Sequence, residues 1–297
     1  AYGLTVRESV AEAVAAGVLE RPAGARVWFR HPLIAEVLAG EMTGPDPDPV
    51  HSAYAKALAV GRALEPGHLA SHHELAGELA EAFRWSLVAA DSAASAQGET
   101  ERLEHLQRAC RLWPQVMAST EPVASYVELL LRTSIACQSV NRARDALDLL
   151  ERALSLTDRN ESPGMACRLL TSKHRLLMET GQSVALTAPL REALALAQSL
   201  PGTVEHVIVA VAFAWTELWS GRPGAAELAS AALKTARQIG SPEAIIPALT
   251  IKAEASPHSM HALDWATEAY GLATAAGDGR QMATATIAIK HLLRARG

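Results

Sequence analysis

Two histidines four residues apart, His68 and His72, with Glu74 close behind, come nearest in this sequence to a metal site. Residues at i and i+4 share one helix face, and imidazole nitrogens are good zinc ligands. A catalytic zinc site takes three protein ligands, however, and no third stands at a suitable spacing, so both read as surface or packing histidines. His258 and His261 read the same way. Cys110, Cys137 and Cys167 stand far apart with no C-x-x-C spacing. They suggest neither a disulfide framework nor a zinc knuckle, and they fit a reducing cytoplasm. No nucleophile elbow, acidic dyad or Ser/His/Asp order stands out, so the expectation is a chain that is not an enzyme.

The elements that position these side chains are helical. The 297 residues are 49% hydrophobic but only 4% aromatic, so the core has to be built from Ala, Leu and Val, and small residues imply close helix packing. Strong helix formers fill the segments between Gly and Pro clusters. The net charge of -5 argues against a nucleic-acid surface, which needs a basic face. The longest uncharged apolar stretch, Val207 to Thr216, is half the roughly 20 residues that a membrane-spanning helix needs, and it reads as a buried helix. No signal peptide opens the chain, and its first residue is Ala, which is expected of a segment cut from a longer protein.

A repeat organises the middle and the end of the chain. Asn141 is followed five and twelve residues later by Ala146 and Ala153. The same offsets give Ala82 and Ala89 after Gly77, Leu186 and Ala193 after Gly181, Ala226 and Leu233 after Gly221, and Ala262 and Ala269 after Pro257. From Asn141 onward these turns are spaced by 40, 40 and 36 residues, room for two helices and two short connections. Small residues seven apart lie two turns along one helix face and let a partner helix approach closely. The pattern predicts an all-α, tetratricopeptide-like right-handed superhelix of antiparallel helix pairs. Its helices are expected at 122–139 and 142–156, 163–180 and 183–199, 203–220 and 223–239, and 242–255 and 258–276, with an unpaired helix at 279–295 that suggests truncation.

The start of the chain does not follow the repeat. It reads as a helix through Ala16, two short strands around a Pro-Ala-Gly turn, and a helix from Pro32 to about Gly40, which together suggest a partial winged-helix segment over 1–41. A Pro-Asp run makes 42–49 the linker, and the repeat domain spans 50–297.

In tetratricopeptide arrays the first helix of each pair lines the concave face. Residues 13, 10, 6 and 3 before each turn are then Glu128, Leu131, Ile135 and Gln138; Arg168, Thr171, Arg175 and Met178; and Ile208, Val211, Trp215 and Leu218. Trp219 lies one turn beyond Trp215. A guanidinium beside two indoles could hold an anionic or aromatic ligand. The alternative is that Trp215 and Trp219 form an ordinary i, i+4 core pair. The candidate groove is therefore Gln138, Arg168, Thr171, Arg175, Trp215 and Trp219.

The segment Phe29-Arg30-His31-Pro32-Leu33-Ile34-Ala35-Glu36-Val37 resembles the F-R-H-P-L segment of large ATP-binding LuxR-type regulators, the family that includes the maltose regulator. His51-Ser52-Ala53-Tyr54-Ala55-Lys56-Ala57-Leu58 is similar to that family's H-x-x-L-A-x-A-L helix. Leu69 to Gly77, followed by Ala82-Phe83-Arg84-Trp85, is similar to its L-A-x-H-x-x-x-A-G unit. The likeness is most specific over 15–113, and the Pro-Asp run before His51 departs from it.

The resemblance implies a fragment holding the end of a winged helix and the repeat sensor of a cytoplasmic transcription regulator. It implies ATP in an upstream module, since this sequence has no G-x-x-x-x-G-K-[ST] loop, and DNA contact only through a C-terminal helix-turn-helix outside it. No cofactor is expected in the chain itself. For His31 the resemblance implies a nucleotide-state sensor, while a structural or helix-capping role beside Pro32 is the alternative reading. The expected partner is a protein, peptide or small-molecule inducer in the groove, with no membrane involved. A stand-alone tetratricopeptide-like scaffold or peptide-binding protein is the rival reading.

Overall fold

Helix propensity, small-residue periodicity and turn residues act together in this chain, and the result is almost wholly helical. The computed structural model describes residues 5–21, 27–31, 34, 37, 49–60, 65–116, 126–181 and 187–296. They fall into two compact units, one within Ala1–Leu64 and Ser71–Glu78, the other within Glu65–Ala70 and Leu79–Gly297.

In the first unit, α1 (Val6–Ala15) begins at a capping box: Glu8 N–H donates to the Thr5 hydroxyl, and the Glu8 carboxylate accepts from Thr5 N–H at 2.7 Å. Gly17 then takes a left-handed turn into β1 (Leu19–Glu20), which pairs antiparallel with β2 (Trp28–Phe29), Leu19 opposite Phe29. Helix α2 (Pro49–Val60) follows, and α3 (Pro66–Leu75) begins in the second unit and ends in the first. Glu78 holds this unit together, accepting from Ser52 Oγ and pairing with His73 Nδ1, both at 2.6 Å, and these hydrogen bonds draw its pKa down. Of the linker expected over 42–49, residues 42–48 lie outside the described residues and Pro49 instead opens α2; most of the helix expected from Pro32 also lies outside them.

The second unit is a tetratricopeptide-like superhelix. Its pairs are α4 (Leu79–Ser95) with α5 (Glu99–Val116), α6 (Tyr126–Ser139) with α7 (Ala143–Ser155), and α8 (Pro163–Glu179) with α9 (Ala188–Ala197). Next come α10 (Val204–Trp219) with α11 (Ala225–Ile239), α12 (Pro242–Glu254) with α13 (Ala262–Ala276), and then α14 (Gly279–Arg296), which packs on α12 and α13. The turn after α6 places Asn141 at φ 60°, the left-handed region that Asn tolerates better than most residues. Helix α9 starts later than the periodicity predicts, at a cap where the Thr187 hydroxyl accepts from Leu190 N–H.

The repeated small residues are the contact surface between helices. Ala82, Ala146, Ala153, Ala193, Ala262 and Ala269 are fully buried. Leu186 lies outside the described residues; among the described ones Ala226 is the exception, because Arg222, Pro223 and a left-handed Gly224 lengthen the turn and α11 buries Ala225, Ala229, Ala232 and Ala236 instead. Three aromatics meet early in the unit, where Trp113 meets Phe83 edge-on and stacks on Tyr126.

Because these alanines sit where neighbouring helices touch, a larger side chain there has to force them apart. Ala146→Leu is expected to lower stability by about 1–3 kcal/mol through overpacking. The same change at exposed Ala231 should stay within about 0.5 kcal/mol. Urea denaturation followed by circular dichroism measures the difference.

Candidate functional site

The superhelix turns far enough for its two ends to meet. The α4–α5 turn reaches the start of α14: Gln97 Nε2 stands 3.9 Å from Met282 Sδ, and a Cβ built on Gly279 would lie 3.7 Å from Gln97 Cγ. The first helices of the pairs, α6, α8, α10 and α12, together with α14, form the inner wall, and Glu99 and Arg102 of α5 complete it. They enclose a cavity of about 690 Å³, in the range of sites that take a drug-sized ligand. The concave groove expected from the repeat is thus the inside of a ring, open to solvent.

The groove residues fall as follows. Leu131 and Ile135 of α6, Arg168, Thr171 and Arg175 of α8, and Ile208, Val211, Trp215 and Trp219 of α10 all line the cavity. Gln138 stands behind this wall, its Oε1 accepting from Arg175 Nη2 at 3.1 Å. Glu128, Met178 and Leu218 do not line it. Trp219 is 52% exposed and Trp215 half-buried, with ring centroids 5.1 Å apart. Trp215 rests partly on the core, whereas Trp219 belongs to the cavity face.

Arg168 is committed to an ion pair across the cavity wall, 2.9 Å from Glu243 of α12. Arg175 is held differently. Its Nε is 3.5 Å from Glu179 Oε1, a distance at which that nitrogen has no hydrogen bond. Its side chain is half-buried on the cavity wall. Burial, and then the like charge of Arg280, push its pKa down to about 9, which leaves it protonated at neutral pH.

Arg280, Arg102, Asp278 and Glu179 are among the site residues that the repeat offsets do not find. They lie on the closing elements or past the counted positions, so no local pattern marks them. His31 is not among the residues that line the cavity; it is exposed just after β2 in the first unit. His68 pairs with Glu65 at 2.8 Å, and His72 Nδ1 meets His51 Nδ1 at 2.8 Å. Among the described residues no three His, Cys, Asp or Glu side chains group as metal ligands, and no helix is long and apolar enough to cross a membrane.

Neither a protein-family model nor a curated protein matches the sequence. A solved structure to which the chain is similar is the Signal Transduction ATPase with Numerous Domains (STAND) protein with a tetratricopeptide repeat sensor from Pyrococcus horikoshii. The identity is 13% and the TM-score 0.45, over 99% of this chain and 44% of that one. This chain therefore spans less than half of that protein's length, and a likeness of this size decides nothing about function.

One further residue on the cavity wall is structural. His174 is buried, with Nδ1 2.9 Å from Thr187 Oγ1 and Nε2 2.9 Å from Thr216 Oγ1. The Thr216 hydroxyl donates to Ala212 carbonyl oxygen, so it accepts from His174 Nε2–H. Thr187, already accepting from Leu190 N–H, then donates to Nδ1. A neutral imidazole therefore completes a chain of hydrogen bonds that ties α8, the start of α9 and α10 together. Burial, and then the charge of Arg175, push its pKa down to about 4.

The unfolded chain binds a proton on this histidine below about pH 6.5, whereas the folded chain does so only below about pH 4. Its contribution is thus present in full above pH 6.5 and is lost as pH falls through that window, up to roughly 3 kcal/mol. Comparing urea midpoints at pH 7 and pH 4.5, His174→Gln is expected to lose less stability on acidification than the parent. An equal loss would show that His174 does not carry this dependence.

Proposed function

We propose that this chain is the sensor and protein-interaction arm of an ATP-dependent LuxR-type transcription regulator. In this reading an inducer or partner occupies the cavity of the superhelix and biases a nucleotide switch elsewhere in the protein. The observation that carries the proposal is the closed ring of repeats around a space walled by Arg175, Trp215 and Trp219. A site formed by helices from successive pairs is sensitive to any change in their mutual angles. A ligand that fits one curvature better than another therefore shifts the population of the two, by no more than its difference in affinity for them.

The likeness of the Phe29-Arg30-His31-Pro32-Leu33 segment to such regulators supports the assignment to that class. ATP is then bound by a module upstream of these residues and DNA by a helix-turn-helix downstream, and the chain itself catalyses nothing. His31 would report the nucleotide state from the winged-helix segment, and the cytoplasm is where such a regulator works.

Reading the native coding frame on both sides tests the class directly. A G-x-x-x-x-G-K-[ST] loop ahead of residue 1 and a helix-turn-helix after residue 297 are expected. A frame that starts near Ala1 and stops near Gly297 would contradict the proposal and leave a free-standing scaffold.

A further inference from the structure

Three arginines converge on the closed end of the cavity from parts of the chain far apart in sequence: Arg102 on α5, Arg175 on α8 and Arg280 on α14. Arg102 lies 3.4 Å from Glu99 and Arg175 lies 3.5 Å from Glu179. The Arg280 guanidinium forms no ion pair or hydrogen bond among the described residues, although Glu179 and Asp278 are near enough to act on it electrostatically. Burial dominates its environment and draws its pKa down, and Arg102 adds repulsion. Arg175 and Arg280 repel each other as well. Like charges held close inside a protein are costly unless something of opposite charge sits between them.

Hydrogen-bonding capacity is unfilled at the same place. Arg102 Nε, Arg175 Nε and Thr171 Oγ1 are buried without a partner, and so is Gln138 Nε2 behind Arg175. Buried polar atoms are paired in the great majority of native structures, and unpaired ones gathered on one cavity wall point to a missing occupant. Guanidinium and hydroxyl donors suit an oxyanion. Glu99, Glu179 and Asp278 surround the arginines and would repel a multiply charged group, so a single negative charge fits best. The cavity is much larger than an inorganic ion, and beyond the arginines its wall turns apolar, with Ile208, Val211, Trp215 and Trp219.

We infer that the cavity binds a small organic monoanion, with its carboxylate or similar oxyanion between Arg175 and Arg280 and its aromatic or apolar body against Trp215 and Trp219. This rests on the reading of the cavity as a ligand site and names the ligand class. A site that pairs one charged end with one apolar end suits a small amphipathic anion better than an extended peptide.

A matched pair of fluorescent probes tests it on the whole chain. Anilinonaphthalene sulfonate carries one negative charge on an aromatic body, and phenylnaphthylamine is the same skeleton without the charge. The sulfonate is expected to bind saturably, one per chain, and at least about tenfold more tightly than the neutral probe, the difference one charge-assisted hydrogen bond supplies. Arg280→Gln should remove most of that preference while leaving the neutral probe's affinity within about twofold, and Trp219→Ala should weaken both. Arg175→Gln gives an independent second variant, with circular dichroism to check that each folds.

Equal affinities for the two probes, or sulfonate binding unchanged in both arginine variants, would overturn the anion assignment. If Trp219→Ala still weakened both probes, the cavity would stand as an apolar ligand site. Absence of saturable binding by either probe would overturn the cavity as a ligand site and the anion assignment with it.

Discussion

How closely the helices approach one another sets everything else in the superhelix. Fully buried alanines occupy the points where its helices cross, among them Ala146, Ala153, Ala193, Ala236, Ala269 and Ala273. A methyl group at a crossing lets two backbones come nearer than a leucine would, and the position of each pair relative to the next follows from that approach. The accumulated rotation brings the α4–α5 turn onto the start of α14. A core of this kind has few large side chains to absorb a misfit, which is why a single added isobutyl group is disruptive.

Closure changes the chemistry of the inner face. In an open groove Arg175 and Arg280 would be solvated and independent. In the ring they share one space, burial depressing both, Arg280 depressing Arg175 and Arg102 depressing Arg280, beside donors that have no partner among the described residues. Such an arrangement is destabilising in the empty state, and natural sequences keep unfavourable local arrangements mainly where binding relieves them. His174, on the same helix as Arg175, shows the contrast: every hydrogen-bonding position of its ring is filled, and it serves the scaffold.

Much of this was legible in the sequence. The turns at Asn141, Gly181 and Gly221 and the small residues behind them mark the helix pairs, since both signals are local and recur at a fixed spacing. Counting back along the helical period from those turns reaches Arg175 and Trp215, both on the cavity wall. The α11 register slipped by one residue at Ala226 because a left-handed Gly224 lengthened the turn, a backbone event the side-chain pattern does not encode. The turn at Gln97, φ 60°, was invisible for a similar reason, since it uses neither Gly nor Asn. Arg102 and Arg280 were out of reach altogether, because their meeting depends on curvature summed over the whole array.

Whether the ring closes can be read from a disulfide placed across its seam. A cysteine at 97 would put its sulfur near the present Gln97 Cγ, 3.7 Å from the Cβ of a residue at 279, close to what a disulfide requires. The native thiols compete poorly: Cys137 and Cys167 are fully buried, and burial raises the pKa of all three. With Gln97→Cys and Gly279→Cys combined, mild oxidation should join the two positions within one molecule in most of the protein, seen as a faster band on a non-reducing gel. Thiols that stay free, or that link only one molecule to another, would mean that the ends do not meet and that the cavity is an open groove.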